Sequence, residues 1–261
     1  MRSRIVHHGI RRRRARRRRA LWTGGEVLVT VGVVLMLLVV HQLWWTNREA
    51  REGARRKVEA LERQWGQEGE DLGTADGPTT GEGDSVTGSG KDSSTAAGSP
   101  RSGNSTRSQP SWSGAYAVLV IPRLHLRVPV AEGVGKQSVL NKGYVGHYPG
   151  TGQPGQVGNF ALAGHRNTHG EPFRYLNRLE PGDTVRVETR SAVHTYAVDR
   201  TLRQTSARDS GVIRPVPRSS VHPSYGYTAP GWFLTLTTCT PEYTSRYRLV
   251  VWGVLVSTRP R

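Results

Sequence analysis

The sequence predicts an all-β domain over residues 113–258, preceded by a single membrane-crossing helix. Two observations predict this arrangement. Residues 113–258 contain seven short segments rich in apolar residues, separated by Gly- and Pro-rich turns. In several of these segments polar and apolar residues alternate. An uncharged apolar stretch lies near the N-terminus, directly after a cluster of arginines. A period of two is typical of β-strands, so the domain is a β-barrel or a β-sandwich.

Residues 21–45 are predicted to form a transmembrane helix. Ten of the first 20 residues are Arg, and residues 27–40 carry no charge. A bilayer requires about 20 apolar residues for one crossing. Trp22 on one side and Trp44 and Trp45 on the other suit the aromatic belts at the two interfaces. The positive-inside rule places residues 1–20 in the cytoplasm, which makes this a single-pass protein of the cell membrane with its outer domain extracytoplasmic.

Three alternatives for the N-terminus are a nucleic-acid-binding basic segment, a cleaved signal peptide and a twin-arginine export signal. The basic run directly precedes a hydrophobic span, so topology explains it better than nucleic acid does, and we predict no nucleic-acid partner. The apolar run is long for a signal peptide, and no clean cleavage site of small residues follows it. A polyarginine tract matches the twin-arginine motif by chance.

Residues 46–112 are predicted to be an extracytoplasmic linker that is largely disordered. Residues 46–64 are charged and could extend as a helix from the membrane. From residue 66 to residue 111 the composition changes to Gly, Ser, Thr, Asp and Pro, which bury little apolar area. We expect this part to be a flexible tether.

The outer domain contains seven predicted strands and two possible short helices. The helices lie near residues 136–141 and 172–179. The strands are residues 115–121, 124–130, 159–165, 183–189, 193–202, 231–239 and 245–256. From residue 113 onward the domain carries 18 Lys plus Arg against 8 Asp plus Glu. This excess suits anionic surroundings such as a cell-wall polymer or lipid headgroups, although solubility alone explains it equally well.

Cys239 is the only cysteine of the chain, so it cannot form an intramolecular disulfide. In an exported protein such a thiol is either incidental or chemical. A nucleophilic thiol needs a group that transfers protons and a donor for the oxyanion. His165 follows one predicted strand, and Arg246 and Arg248 begin the strand after Cys239. Taken singly these are weak signals, because a lone cysteine is more often a small buried apolar residue.

Taken together, three motifs resemble those of the sortases, the membrane-anchored cysteine transpeptidases of Gram-positive bacteria. They are "TLTTC" at residues 235–239, Arg248 in "YRLVVWG", and "AGH" at residues 163–165. The resemblance covers residues 116–256. It implies an eight-stranded sortase-type β-barrel with short helices. It also implies that Cys239 is the nucleophile, His165 the general acid and base, and Arg248 the donor to substrate or oxyanion, with no metal and no cofactor.

The resemblance also implies the substrates. The enzyme would cleave a C-terminal sorting signal of surface proteins, LPxTG-like, between Thr and Gly. It would then join the protein to an amine of lipid II or of the peptidoglycan stem peptide. The Arg- and Gly-rich composition is typical of an actinobacterium and favours class E, with an LAxTG-like signal. Tyr148, Thr238 and Arg246 are the candidate substrate-binding residues. A pilin-polymerising sortase, another exported cysteine transpeptidase or peptidase acting on peptidoglycan, and a non-catalytic barrel are the alternatives.

Overall fold

The computed structural model describes residues 8–71 and 114–261. It describes side chains for residues 22–67 and 114–261. Most of the Gly- and Ser-rich tether predicted between residues 66 and 111 therefore lies outside the described residues. The same is true of the first seven residues of the arginine-rich tail.

Helix α1 (His8–Asp71) contains the predicted membrane segment. Its part from Trp22 to Gln67 includes an 18-residue window with a mean hydropathy of 2.3, and none of that window is buried against the protein. By length and composition this helix can cross a membrane. The prediction of one long apolar helix before the outer domain is confirmed.

The outer domain is a closed eight-stranded barrel, as the resemblance implied. Around the barrel the strands follow the order β1-β2-β3-β4-β7-β8-β6-β5. The β2–β3 and β4–β7 pairs are parallel, and all the other pairs are antiparallel. The strands are β1 (Ala115–Ile121), β2 (Leu126–Glu132), β3 (Val145–His147), β4 (Gly158–Ala163), β5 (Thr184–Glu188), β6 (Ala192–Ser206), β7 (Trp232–Thr240) and β8 (Tyr247–Pro260).

Besides shifts at the ends of other strands and an additional 3₁₀ turn at Ser210–Ile213, the structure differs from the predicted elements in three ways. β2 begins at Leu126 and not at residue 124, because a 3₁₀ turn at Pro122–Leu124 is followed by His125 in the left-handed region, with φ of 49°. The three-residue strand β3 was not predicted, since it is too short to show alternation. The possible helices near residues 136–141 and 172–179 are the 3₁₀ turns Leu140–Lys142 and Leu176–Arg178.

Apolar side chains from all eight strands fill the barrel interior, and the short strand β3 supplies Val145. Fully burying one such side chain stabilises the fold by about 1.5–3 kcal/mol. The connection between β4 and β5 adds Phe173 and Leu176, which are completely buried. The largest buried residues of this core are Phe160, Phe173, Tyr196, Leu119, Ile121, Leu162, Leu176, Leu234, Leu236 and Leu249.

The second half of α1 packs against the outside of the barrel. Ala50, Ala54, Val58, Leu61 and Trp65 are buried and recur every three or four residues, so they form one face of the helix. Val58, Leu61 and Trp65 belong to one cluster with apolar residues of β1 and β2.

This packing explains why β1 is apolar on both faces. Val118 and Val120 point away from the barrel interior and are covered by α1, so the strand shows an almost continuous apolar run. The helix that residues 46–64 could form is present and extends to Asp71. The first part of the expected linker therefore has a fixed place on the barrel, because its small apolar residues share one helical face.

Candidate active site

The β7–β8 pair places Arg248 directly opposite Cys239. The two strands are antiparallel, and their last pairs are Cys239 with Arg248 and Thr240 with Tyr247. Side chains that face each other in this way have Cβ atoms about 4.5–5.5 Å apart. The nine-residue spacing between Cys239 and Arg248 thus follows from the β7–β8 hairpin, which brings these two residues opposite each other.

The β4–β7 pair places His165 on the other side of Cys239. These strands are parallel, with Gly158 opposite Trp232 and Ala163 opposite Thr237. The backbone N–H of Gly164 continues the ladder by donating to the carbonyl of Thr237, at 3.1 Å. His165 and Cys239 are separated by the same number of positions as each of these pairs. Continuing the pairing two residues beyond Ala163 and Thr237 therefore places His165 beside Cys239.

All three residues line one open pocket of about 660 Å³. Cys239 is partly exposed in it, so a substrate can reach the thiol. The pocket is also lined by the loop after His165, by the β7–β8 hairpin and by part of α1. These further lining residues are Leu43, Trp44, Thr46, Asn47, Lys136, Arg166, Asn167, Thr168, His169, Glu171, Arg174, Tyr243, Thr244 and Ser245.

His165 is held in its neutral form. Burial, followed by the positive charges of His169 and Lys136, lowers the pKa of the His165 imidazole to about 4. The His165 and His169 rings stack with their centroids 5.3 Å apart. His165 Nε2 lies 2.9 Å from Asn141 Oδ1. An amide oxygen only accepts, so Nε2 carries the proton and Nδ1 is the free base.

Arg248 retains hydrogen-bond donors that a ligand can use. Its Nη1 donates to the backbone carbonyls of Ser245 and Tyr247, at 2.9 and 3.0 Å. Its Nε and Nη2 make no hydrogen bond to any residue that the structure describes. These two nitrogens form one edge of the guanidinium fork, which is the geometry that recognises an oxyanion or carbonyl pair.

Arg166 joins the loop after β4 to the end of β7, a role that the sequence did not predict. It is 8% exposed, and its Nη1 donates to the carbonyl of Cys239 at 3.2 Å and to Thr240 Oγ1 at 2.9 Å. Its Nη2 lies 3.4 Å from Asn177 Oδ1. Since Arg166 follows His165 in the chain, it ties the histidine loop to the end of β7. Its place next to the predicted histidine was the only signal in the sequence.

The three candidate substrate-binding residues are not among the residues that line the pocket. Thr238 is buried and donates to the carbonyl of Gly164 at 2.8 Å, so its side chain supports the strand before His165 and does not face a substrate. Arg246 is exposed and packs over the Tyr247 ring, and it lies before β8, so it does not begin the strand after Cys239 together with Arg248.

Tyr148 is attached to the cysteine strand. Its hydroxyl lies 3.0 Å from Thr237 Oγ1, which in turn donates to the carbonyl of Leu162 at 3.1 Å. Tyr148 therefore donates to Thr237, two residues before Cys239. Alternate residues of a strand share a face, so the ring is linked to the face that carries the thiol.

The region after His165 is also tied to α1. Asn47 Nδ2 donates to Glu171 Oε1 at 2.8 Å, and Arg51 Nη2 lies 3.0 Å from Glu171 Oε2. Arg51 Nε also donates to the carbonyl of Gly170, at 3.1 Å. The Glu171 side chain is only 5% exposed and accepts from Arg174 as well. No sequence motif indicated this connection between the helix and the site.

Comparisons with known proteins match this fold. The family described as "Sortase domain" matches residues 119–256. Sortase SrtE1 of Streptomyces coelicolor is 50% identical over 151 residues, which are 56% of this chain and 42% of SrtE1. The aligned region therefore spans less than half the length of that relative. Sortase SrtE2 of the same organism is 33% identical over 224 residues, which are 84% of this chain and 75% of SrtE2.

A solved structure agrees with these matches. The crystal structure of sortase E1 from Streptomyces coelicolor, with a tripeptide in its active site, is 49% identical and has a TM-score of 0.54. The match covers 57% of this chain and 92% of that one.

Proposed function

The chain belongs to the sortase family, and on this premise we propose that it is a membrane-anchored cysteine transpeptidase. The observation that supports this most directly is the position of Cys239 between His165, in the loop after β4, and Arg248 on β8, with all three residues at one pocket. A nucleophile, a proton-transfer group and a donor for the oxyanion are the three parts that acyl transfer requires.

In the first half of the reaction the Cys239 sulfur attacks the threonine carbonyl of a sorting signal. His165 is neutral at pH 7, so it accepts the thiol proton as the C–S bond forms. The free edge of the Arg248 guanidinium donates to the oxygen that becomes negative. The Thr–Gly C–N bond then breaks, and His165 returns the proton to the departing amine, which leaves a thioester on Cys239.

In the second half an amine takes the place of the leaving group. The incoming amine attacks the thioester carbon, His165 takes its proton, and the Cys239 thiolate departs and is reprotonated. The product is a new amide bond. Without an acceptor amine, water attacks the thioester and a free carboxylate results, so the same site gives a slow peptidase activity.

For the substrates we propose surface proteins that end in an LAxTG- or LPxTG-like signal, and for the acceptor an amine of lipid II or of the peptidoglycan stem peptide. The tripeptide in the active site of the Streptomyces coelicolor enzyme supports a peptide substrate. The similarity to sortases E supports class E. Tyr148, through its bond to Thr237 on the cysteine strand, is our candidate for reading the second signal position.

For the membrane topology we propose the arrangement that the sequence predicts. Residues 21–45 cross the membrane, residues 1–20 lie in the cytoplasm, and the catalytic domain, residues 113–258, is extracytoplasmic. The helix length supports the crossing, and the arginine cluster supports the orientation.

Trapping the thioester tests the proposal. The full-length protein is incubated with an LAxTG peptide and no amine, and intact-mass spectrometry measures the adduct. Wild type is expected to gain the mass of the peptide up to threonine, and Cys239→Ala is expected to gain nothing. An adduct that persists in Cys239→Ala would exclude Cys239 as the nucleophile. Cleavage at another bond would indicate a peptidase of a different specificity.

A further inference from the structure

The wall of the catalytic pocket on the membrane side is the protein's own membrane helix. Leu43, Trp44, Thr46 and Asn47 of α1 line the pocket together with Cys239. The predicted tether would instead have left the barrel free to take any orientation above the bilayer. In this structure the helix forms part of the pocket wall, so the position of the helix determines where the pocket opens.

Two kinds of contact fix the helix in this position. The buried face that begins at Ala50 and ends at Trp65 packs on the outside of β1 and β2. Closer to the membrane, Asn47 and Arg51 bind Gly170 and Glu171. The loop that receives these bonds also carries His169, which stacks on His165. The loop that α1 binds is therefore in direct contact with the catalytic histidine.

The height of the pocket above the bilayer follows from the helix geometry. Trp22 and Trp44 are 22 residues apart, which at 1.5 Å per residue is about 33 Å. The hydrocarbon core of a bilayer is about 30 Å thick. With Trp22 at the inner interface, Trp44 lies at the outer one. A pocket that Trp44 lines therefore opens at the membrane surface, and the docked face begins about 9 Å further out.

We propose that the segment of α1 from Leu43 to Trp65 is a component of the active site. It holds the barrel with the pocket open to the bilayer surface. Leu43 and Trp44 contact the part of the substrate that follows the scissile bond, which in a substrate anchored in the same bilayer leads back toward the membrane. This inference depends on the proposed transpeptidase function.

The apolar surface of Leu43 and Trp44 supports this occupant. These two residues line the pocket among residues that are mostly polar or charged. A strand that leaves the pocket for the bilayer must pass this part of the helix. A short soluble peptide that ends after the glycine does not extend this far.

The closing experiment uses full-length enzyme reconstituted in vesicles and two substrates with the same sorting signal. One is a soluble peptide that ends two residues after the scissile bond. The other continues into an apolar membrane-spanning segment in the same vesicle. The measured quantity is the ratio of kcat/KM for the anchored substrate to kcat/KM for the soluble one.

Trp44→Ala is compared with Trp45→Ala, a matched control. Both rings contact His41, with centroids 6.4 and 6.2 Å away, and both are about half exposed, but only Trp44 lines the pocket. Trp44→Ala is expected to lower the ratio about tenfold, the size of one lost aromatic contact, and Trp45→Ala to leave it within about twofold. Equal ratios for the two variants, or a loss in Trp44→Ala that is the same for both substrates, would overturn the proposal.

The docking itself is tested by trypsin, which does not depend on activity. Ala54 is buried against the barrel and Ala60 on the same helix is exposed, so Ala54→Glu and Ala60→Glu form a second matched pair. Cleavage after Arg55 or Arg56 is expected to be slow in wild type and in Ala60→Glu, and fast in Ala54→Glu. Ala54→Glu is also expected to lower the substrate ratio. Rapid cleavage of the wild-type helix would refute the docking.

Wild-type turnover of the soluble peptide separates this inference from the function on which it depends. If the soluble peptide is cleaved but the Trp44→Ala ratio is unchanged, the transpeptidase proposal survives and the inference fails. If neither substrate is cleaved, both fail, whatever trypsin shows for the helix.

Discussion

Replacing Arg166 is the sharpest test of how the site is supported. Arg166 is buried, and its guanidinium ties the histidine loop to the backbone of Cys239. Arg166→Met keeps much of the side-chain length and removes every donor. Arg178→Met is the matched control, because Arg178 is exposed in the same connection between β4 and β5 and stacks on Tyr175.

Two opposing effects set the magnitude. Each hydrogen bond from a charged group contributes about 1.5–3 kcal/mol, and Arg166 Nη1 makes two. Its buried Nε has no partner, so removing the charge also relieves a desolvation cost. The lost bonds outweigh this relief, and we expect Arg166→Met to lower the free energy of unfolding by about 2 kcal/mol. For a domain of this size that corresponds to a Tm lower by about 4–8 °C.

The effect on catalysis is expected to be larger than the effect on folding. A displacement of the nucleophile by about 1 Å costs about a hundredfold in rate. Peptide cleavage is measured at 25 °C, where circular dichroism shows that the variant is folded. Arg166→Met is expected to lose about a hundredfold in kcat/KM, Arg166→Lys to recover part of it, and Arg178→Met to match wild type. A lower Tm with unchanged kcat/KM would show that Arg166 only stabilises the barrel.

Two further predictions concern the pocket itself. Arg248→Lys keeps the charge but loses the planar pair of donors, so turnover is expected to fall by about 10²–10³-fold. Arg246→Lys is expected to change turnover little, because Arg246 lies outside the pocket. Near-normal turnover in Arg248→Lys would show that the paired donors of the guanidinium are not needed. The acid limb of kcat/KM is expected near pH 4 and not near pH 6.5, because the free enzyme must hold His165 neutral and protonation through its lowered pKa removes the base. Lys136→Gln removes a positive charge beside His165, raises its pKa and is expected to move this limb to higher pH; a limb that stays in place excludes Lys136 as a cause.

The strands could be predicted because their signal is local. Alternation and turn residues depend only on neighbours in the chain, so seven of the eight strands were identified. The parallel β4–β7 pair was not, because it joins residues 74 positions apart (232 minus 158), and no local pattern records such a pairing. Cys239, His165 and Arg248 were predicted from motifs, and the pairing of β7 with β4 and with β8 explains the spacing between these residues.

The differences at the site have equally physical causes. Thr238 lies on the opposite strand face from Cys239, as strand periodicity alone indicates. Arg166 and Asn141 were missed because a polar side chain in a loop gives no sign of turning inward. The docked part of α1 was read as linker because Ala50 and Ala54 are small apolar residues among many charges, and their burial depends on the surface of β1.

The docking of α1 also makes two parts of the chain unequally tolerant of changes in length. The described chain reaches Trp65 and resumes near Ala115 within one apolar cluster, so both ends of the segment between them are fixed to the barrel. Doubling the length of such a loop costs only about 0.6 kcal/mol in closure entropy and leaves the pocket in place. One residue inserted between Trp45 and Ala50 would instead rotate the docking face by about 100° relative to the membrane. Natural variation in length should therefore accumulate after Trp65 and be excluded from the five positions that follow Trp45.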